Sequence, residues 1–146
     1  MEKLSIAICD DLAEERIGLA KMVGAYCARC DLNPKLRLFA SGDELLHVFS
    51  QPRQFQMVFL DIYMSGYSGT ETARRIRDID QDVPILFATT SQDHGLDSFR
   101  VQAADYLVKP IQPDDVARAM DWCLEHVPEP LRCLSVLAEG EWVDIP

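Results

Sequence analysis

The sequence predicts an α/β protein built on one parallel β-sheet with helices on both faces. Five short apolar segments alternate with five amphipathic segments, which is typical of parallel strands joined by crossover helices. Two of the apolar segments, M-V-F-L-D at 57–61 and V-P-I-L-F-A-T at 83–89, lack polar alternation, which indicates strands buried on both faces. With 146 residues, 48% of them hydrophobic, the chain has room for one domain with a sizeable core.

The predicted strands are apolar runs that end at polar or loop-forming residues. The third strand runs straight into a loop that contains Ser65 and Gly66. The second alternates in polarity, which places it nearer an edge of the sheet. In chain order the strands are Lys3–Cys9, Lys35–Phe39, Met57–Asp61, Val83–Thr89 and Asp105–Val108.

The predicted helices carry apolar residues at spacings of three and four. The second helix opens at a capping box, because Ser41 and Glu44 lie three residues apart. Trp122 falls opposite the core face of the last helix, where partial exposure is expected. The expected apolar face of the first helix comprises Ile17, Ala20, Val23 and Cys27. In chain order the helices are Glu14–Ala28, Ser41–Phe49, Thr70–Ile79, Leu96–Ala103 and Pro113–Val127.

Composition narrows the classes of function. A net charge of −10 without a basic run argues against nucleic-acid binding by this chain alone, and Arg74, Arg75 and Arg77 are interpreted as a solvated helix face. No apolar run reaches membrane-spanning length and no signal-peptide pattern is present, so we expect no membrane association and a cytoplasmic location. The five scattered cysteines suit reduced thiols. Cys27 and Cys30 form a C-x-x-C that lacks a second ligand pair for zinc.

Polar side chains follow the strands at their carboxyl ends. Right-handed crossovers bring all these ends to one rim of a parallel sheet. Three carboxylates at one rim repel each other unless one is protonated or a cation neutralises them. Oxygen ligands at a loop-built rim suit Mg²⁺, so the sequence predicts a magnesium site. The residues expected at the rim are Asp10, Asp11, Asp61, Thr89 and Lys109.

This set of residues predicts phosphoryl chemistry at Asp61. A carboxylate beside a metal ion is an available nucleophile for phosphoryl transfer, and a metal ion with Lys109 would neutralise charge on the transferred group. Thr89 offers a hydroxyl donor to the same oxygens. An Asp at a strand end is also a common turn former or helix cap, so the prediction of an aspartyl-phosphate site depends on the convergence of the other residues.

Four segments resemble receiver domains of two-component response regulators in order and spacing. They are I-A-I-C-D-D, V-F-L-D-I-Y-M-S-G, P-I-L-F-A-T and A-D-Y-L-V-K-P. The resemblance covers about residues 3–127, and it implies a doubly wound (βα)₅ fold of the flavodoxin-like kind over a receiver domain at 1–127. It also implies that Asp61 is the phosphoacceptor, that Asp11 binds Mg²⁺ directly, that Asp10 does so largely through water, and that the backbone carbonyl of Tyr63 is the third protein ligand.

The resemblance assigns switching roles to residues at the other end of the site. Thr89 would be the switch hydroxyl, Tyr106 the switch aromatic and Lys109 the phosphoryl-binding base. Pro110 would follow a cis peptide bond. Tyr106 has the alternative interpretation of a half-buried strand aromatic, and the switch role is favoured because it lies three residues before Lys109.

The chain departs from the family pattern at a few positions. Ser65 stands where the family usually has Pro, and Ser does not fix φ as Pro does, so the stiffness of the loop after Asp61 is affected. Thr90 replaces a usual small residue. Tyr63 and Ser91 lie where the family tunes the lifetime of the phosphoryl group, and we hypothesise that the bulk of Tyr63 hinders attacking water.

The last residues resemble a different family. Pro128-Glu129-Pro130 is expected to be a stiff linker. Residues 131–146, with two short strand-like runs and a turn at Glu139-Gly140, resemble the opening strands of the LytTR-type DNA-binding domain. The resemblance implies a LytR/AlgR-like transcriptional regulator of which this chain is an N-terminal piece, so DNA would be bound only through a C-terminal domain absent from it.

The resemblance implies a switch controlled by a sensor histidine kinase. Phosphorylation of Asp61 would change the face formed by the predicted helix 96–103, the strand 105–108 and the helix 113–127, and so bias homodimerisation or an attached domain. The chain would not be an enzyme beyond self-phosphorylation and autodephosphorylation. One alternative is a phosphorylation-independent protein-binding module, against which the intact residue set argues. Another is a Mg²⁺-dependent phosphatase or phosphomutase with an aspartyl nucleophile, although Tyr63 stands where such haloacid-dehalogenase-like enzymes have a second Asp.

Overall fold

The computed structural model describes residues 4–64, 68–90 and 104–126. Within these ranges the strands are β1 (Leu4–Cys9), β2 (Pro34–Phe39), β3 (Met57–Asp61), β4 (Ile85–Thr89) and β5 (Asp105–Val108). The helices are α1 (Ala13–Arg29), α2 (Gly42–Val48), α3 (Gly69–Ile79) and α4 (Pro113–His126). The predicted helix Leu96–Ala103 and all residues after His126 lie outside the described ranges.

The five strands form one parallel sheet in the order β2-β1-β3-β4-β5, which confirms the predicted fold class. From β1 the chain first adds β2 on one side and then adds β3, β4 and β5 on the other side, as in a doubly wound sheet. The register places Cys9 beside Leu60 and Asp61 beside Ala88. Asp10, the residue after Cys9, therefore emerges next to Asp61 at the carboxyl rim.

The sheet is covered by side-chain clusters on both faces. Successive side chains of a strand point to opposite faces, so Ile6 and Ile8 of β1 pack in one cluster and Ala7 and Cys9 in the other. The first cluster includes buried residues of α1 and α4, and the second includes buried residues of α2 and α3. Burial on both faces explains why β3 and β4 are continuously apolar.

Two helices begin at serine caps. Ser41 Oγ accepts a hydrogen bond from Glu44 N at 3.1 Å, which confirms the predicted cap. The return bond of the capping box differs, because Glu44 Oε1 accepts from Ala40 N at 3.0 Å, one residue before the cap. Ser68 Oγ accepts from Glu71 N at 3.2 Å in the same way, so α3 begins at Gly69, one residue before the predicted start.

Some local predictions were wrong. Ile17 is 47% exposed, because α1 is rotated so that Leu19, Val23 and Tyr26 face the sheet. Arg77 does not lie on a solvated face. It is partly buried, and its guanidinium donates to the carbonyl of Val83 at 2.7 Å, so it ties α3 to the approach to β4.

Trp122 is 42% exposed, as expected. Among the residues that the structure describes, no helix is long and apolar enough to cross a bilayer.

Candidate functional site

Three carboxylates meet at the carboxyl rim of the sheet. Asp10 and Asp11 follow β1, and Asp61 is the last residue of β3. One oxygen from each lies within 4.8 Å of the others. Asp10 and Asp61 are only 3% and 4% exposed, whereas Asp11 is half-buried. The structure therefore brings the three predicted metal-binding side chains together.

Backbone hydrogen bonds hold these carboxylates in place. Asp10 N donates to the carbonyl of Phe39 at 3.1 Å, and Asp10 Oδ1 accepts from Leu12 N at 2.9 Å. The carboxylate of Asp61 accepts from the backbone N–H of Tyr63. The chain thus turns immediately after β1 and β3 and leaves the carboxylates at the rim.

Lys109 supplies the positive charge of the site. Its Nζ lies 3.0 Å from Asp10 Oδ2 and 3.4 Å from Asp61 Oδ1, and it also contacts Glu15 Oε1. Its side chain is 11% exposed. Lys109 N donates to the carbonyl of Thr89 at 2.7 Å, which anchors the end of β5 to β4, and the Lys109–Pro110 peptide bond is cis.

Burial and neighbouring charges shift the pKa values of Asp61 and Lys109. Burial, followed by the charge of Asp10, raises the pKa of Asp61 to about 6, although Lys109 and the N–H of Tyr63 act in the opposite direction. Burial alone would lower the pKa of Lys109. Its bonds to Glu15 and Asp10 outweigh that effect, so the pKa lies above its usual range and the ammonium stays charged.

Thr89 and Tyr106 occupy β4 and β5 beside the site. Thr89 is fully buried at the last position of β4, one residue beyond the partner of Asp61 in the register. The Tyr106 ring packs against Phe87, with 6.0 Å between centroids. The Tyr106 hydroxyl is buried and has no hydrogen-bond partner in the described part of the chain. A buried hydroxyl without a partner costs free energy. No hydrogen bond of the hydroxyl therefore holds the Tyr106 ring in this position.

The loop after Asp61 is partly described. Tyr63 is 54% exposed beside the rim, and Thr90 is exposed. Ser65 and Ser91 lie outside the described residues.

Two residues of the site were not singled out from the sequence. Gly69 packs on the backbone of Asp61, since a Cβ at Gly69 would lie 2.2 Å from the Asp61 carbonyl oxygen. Glu15 contacts Lys109. No sequence signal pointed to Glu15, because its contact is with a residue 94 positions further along the chain.

Cys27, the first cysteine of the C-x-x-C, does not have the acidity of a reactive thiol. Cys27 is fully buried, and burial raises the pKa of its thiol to about 11. Reactive cysteines have a lowered pKa instead.

The donor set fits a divalent cation. Its side-chain ligands are all carboxylate oxygens, the type that Mg²⁺ prefers, and the half-buried Asp11 leaves room for water, which Mg²⁺ usually retains. Burial, and after it repulsion from Asp10, raises the pKa of Asp61, and a bound cation would act against both effects by favouring the charged carboxylate.

Comparisons with known proteins agree with this geometry. The family model described as response regulator receiver domain matches residues 6–121. Sensory transduction protein LytT of Oceanobacillus iheyensis is 37% identical over 83 residues, 56% of this chain and 33% of LytT. The positive alginate biosynthesis regulatory protein of Pseudomonas aeruginosa is 33% identical over 119 residues, 80% of this chain and 46% of that protein. The chain thus spans less than half the length of these relatives.

A solved structure extends the similarity to the fold. Response regulator TrrA of Thermotoga maritima, in complex with Mg²⁺ and beryllofluoride, is 25% identical with a TM-score of 0.69. The match covers 84% of this chain and 99% of TrrA.

Proposed function

The chain belongs to the response regulator receiver domain family, and from this membership we propose that it is a switch in which Asp61 accepts a phosphoryl group from a sensor histidine kinase. Asp10, Asp11, Asp61 and the backbone carbonyl of Tyr63 would hold Mg²⁺. The observation that carries the proposal is the position of Asp61, buried at a strand end among two further carboxylates and one ammonium group.

The transfer would be a displacement at phosphorus. A carboxylate oxygen of Asp61 attacks, and the bond between phosphorus and the kinase histidine nitrogen breaks. That nitrogen takes up a proton from solvent, so the histidine leaves as the neutral imidazole. Mg²⁺, when bound, supplies charge neutralisation for the phosphoryl oxygens. Lys109 donates to one of these oxygens from its place beside Asp61, and the hydroxyl of Thr89 donates to another.

Phosphorylation would then change the face around β5. If Thr89 and Lys109 move toward the phosphoryl oxygens, Tyr106 can follow inward, since its hydroxyl has no hydrogen bond to break in the described structure. This change would bias homodimerisation through the segments 96–103, 105–108 and 113–126. The chain would act as a switch and not as an enzyme with a separate substrate.

The output would be transcriptional. The similarity to the alginate biosynthesis regulatory protein and to LytT supports a longer regulator, and residues 131–146 would begin a LytTR-type DNA-binding domain after the linker 128–130. DNA binding would then belong to the part of the regulator that follows this chain.

The test is the mass of the intact protein after incubation with acetyl phosphate and Mg²⁺. The wild type should gain one phosphoryl group. The gain should disappear in EDTA and in Asp61→Asn, and it should persist in Asp78→Asn, which removes an equal charge from an exposed position on α3.

Two other results would redirect the proposal. No mass gain, together with no binding of beryllofluoride, would favour the phosphorylation-independent binding module. Repeated turnover of a phosphate monoester such as p-nitrophenyl phosphate would favour the phosphatase alternative.

A further inference from the structure

The ammonium group of Lys109 is shared by three carboxylates, and one of them lies outside the predicted site. Glu15 is in the first turn of α1 and contacts Lys109 Nζ. Asp10 and Asp61 are the other two partners, at 3.0 Å and 3.4 Å. Glu15 therefore takes part in the electrostatics of the site without being one of its clustered carboxylates.

Two of the three carboxylates hold the ammonium group of Lys109 by hydrogen bonds. An ammonium group has three N–H donors and no acceptor, and three carboxylates surround this one. The separation from Asp61 exceeds the roughly 3.2 Å that limits well-formed N–H···O bonds. The ammonium is thus held by Asp10 and Glu15 and is bound only weakly to the phosphoacceptor.

To bond a phosphoryl group on Asp61, the ammonium of Lys109 would have to move toward Asp61 and loosen one of its two hydrogen bonds. The side chains of Asp10 and Asp61 are 4% and 5% exposed, so neither can replace a lost partner with bulk water. The Glu15 side chain is 41% exposed and can be rehydrated. The Glu15 bond is therefore the one that is easiest to exchange for a bond to phosphoryl oxygen.

We propose that Glu15 is a positioning residue that competes with the phosphoryl group for Lys109 and so restrains phosphorylation of the resting protein. The proposal rests on the proposed function, because it needs a phosphoryl group at Asp61. Glu15 acts by two physical routes. It holds the ammonium of Lys109, and its negative charge repels the charge of the phosphoryl oxygens.

The test is the affinity for beryllofluoride, a mimic of the phosphoryl group, measured by isothermal titration calorimetry on the 146-residue chain at saturating Mg²⁺. Glu15→Gln keeps the length of the side chain and removes its charge. We expect about three- to fivefold tighter binding, the range that corresponds to a partly exposed ion pair. The difference should shrink at high salt, since exposed charge is screened.

Glu14→Gln is the matched control. Glu14 lies in the same helical turn, is exposed and carries the same charge, but it has no ion pair with Lys109. Its affinity for beryllofluoride should equal that of the wild type. A purely structural role of Glu15 predicts weaker binding in Glu15→Gln, the opposite direction.

The outcomes separate this inference from the proposed function. Equal or weaker binding by Glu15→Gln, or equal tightening by Glu14→Gln, overturns the role of Glu15 while the wild type still binds. Failure of the wild type to bind beryllofluoride, so that it matches Asp61→Asn, overturns the proposed function and the inference with it.

Discussion

Replacement of Asp61 by Asn is expected to stabilise the metal-free protein at neutral pH. Burial and the charge of Asp10 raise the pKa of Asp61 from 3.8 to about 6. The unfolded chain keeps the ordinary value, so between these pH values the folded protein binds more protons than the unfolded chain. Stability therefore falls as the pH rises from 3.8 to about 6 and stays lower above it.

The magnitude follows from the shift. About two pKa units, at about 1.4 kcal/mol per unit, correspond to about 3 kcal/mol at pH 8. The attraction of Lys109 is already included, because it acts on the same pKa. Asn resembles the neutral form of Asp in shape. The free energy of unfolding of Asp61→Asn should exceed that of the wild type by roughly 2–3 kcal/mol at pH 8 and by less than about 1 kcal/mol at pH 4.

Urea denaturation in EDTA, followed by circular dichroism at both pH values, measures this difference. Comparing the two proteins at each pH cancels the titration of other groups. Asp78→Asn, at an exposed position, should change stability by no more than about 0.5 kcal/mol. An unchanged free energy for Asp61→Asn at pH 8, or an equal gain at pH 4, would refute the reasoning.

Three further predictions concern the metal, the packing of the helices and the phosphoryl lifetime. Mg²⁺ at a hundredfold excess over its dissociation constant should stabilise the wild type by about 2.7 kcal/mol, and Asp61→Asn much less, in thermal unfolding. Gly42→Ala should cost about 1–3 kcal/mol in urea denaturation, since its Cβ would lie 2.0 Å from Thr72 Oγ1, and adding Thr72→Ala should recover most of this loss. Tyr63→Ala should speed loss of the phosphoryl group from Asp61 by roughly two- to tenfold, followed by intact mass over time, and an unchanged rate would show that the Tyr63 ring does not exclude water.

Much of the fold and the centre of the site were predictable from the sequence. Buried parallel strands leave a direct signal in continuous apolar runs, and the rule that their carboxyl ends share a rim brings Asp10, Asp11, Asp61 and Lys109 together without any knowledge of side-chain conformation. The structure confirms this proximity for the three carboxylates and the ammonium group.

The remaining features depend on quantities that the sequence pattern does not contain. The rotation of α1 about its axis decides that Leu19 is buried and Ile17 exposed, although both are apolar. The contact between Glu15 and Lys109 depends on side-chain rotamers of residues 94 positions apart. Close approaches such as that of Gly69 to the backbone of Asp61 depend on how the start of α3 packs on the end of β3.

The electrostatics of the rim suggest how one chemical event would reach the rest of the domain. In the folded protein Asp10 and Asp61 repel each other, and the ammonium of Lys109, held by Asp10 and Glu15 and 3.4 Å from Asp61, offsets only part of this repulsion. Under the proposed function, a bound Mg²⁺ would relieve part of this repulsion, and a phosphoryl group on Asp61 would attract Lys109 away from Asp10 and Glu15. Because Lys109 N is hydrogen-bonded to the carbonyl of Thr89 at 2.7 Å, a displacement of the Lys109 backbone would be transmitted to the end of β4. Phe87 lies two residues before Thr89 on β4, and the Tyr106 ring packs against it. The same displacement would therefore reach Tyr106, whose hydroxyl has no hydrogen-bond partner in the described part of the chain.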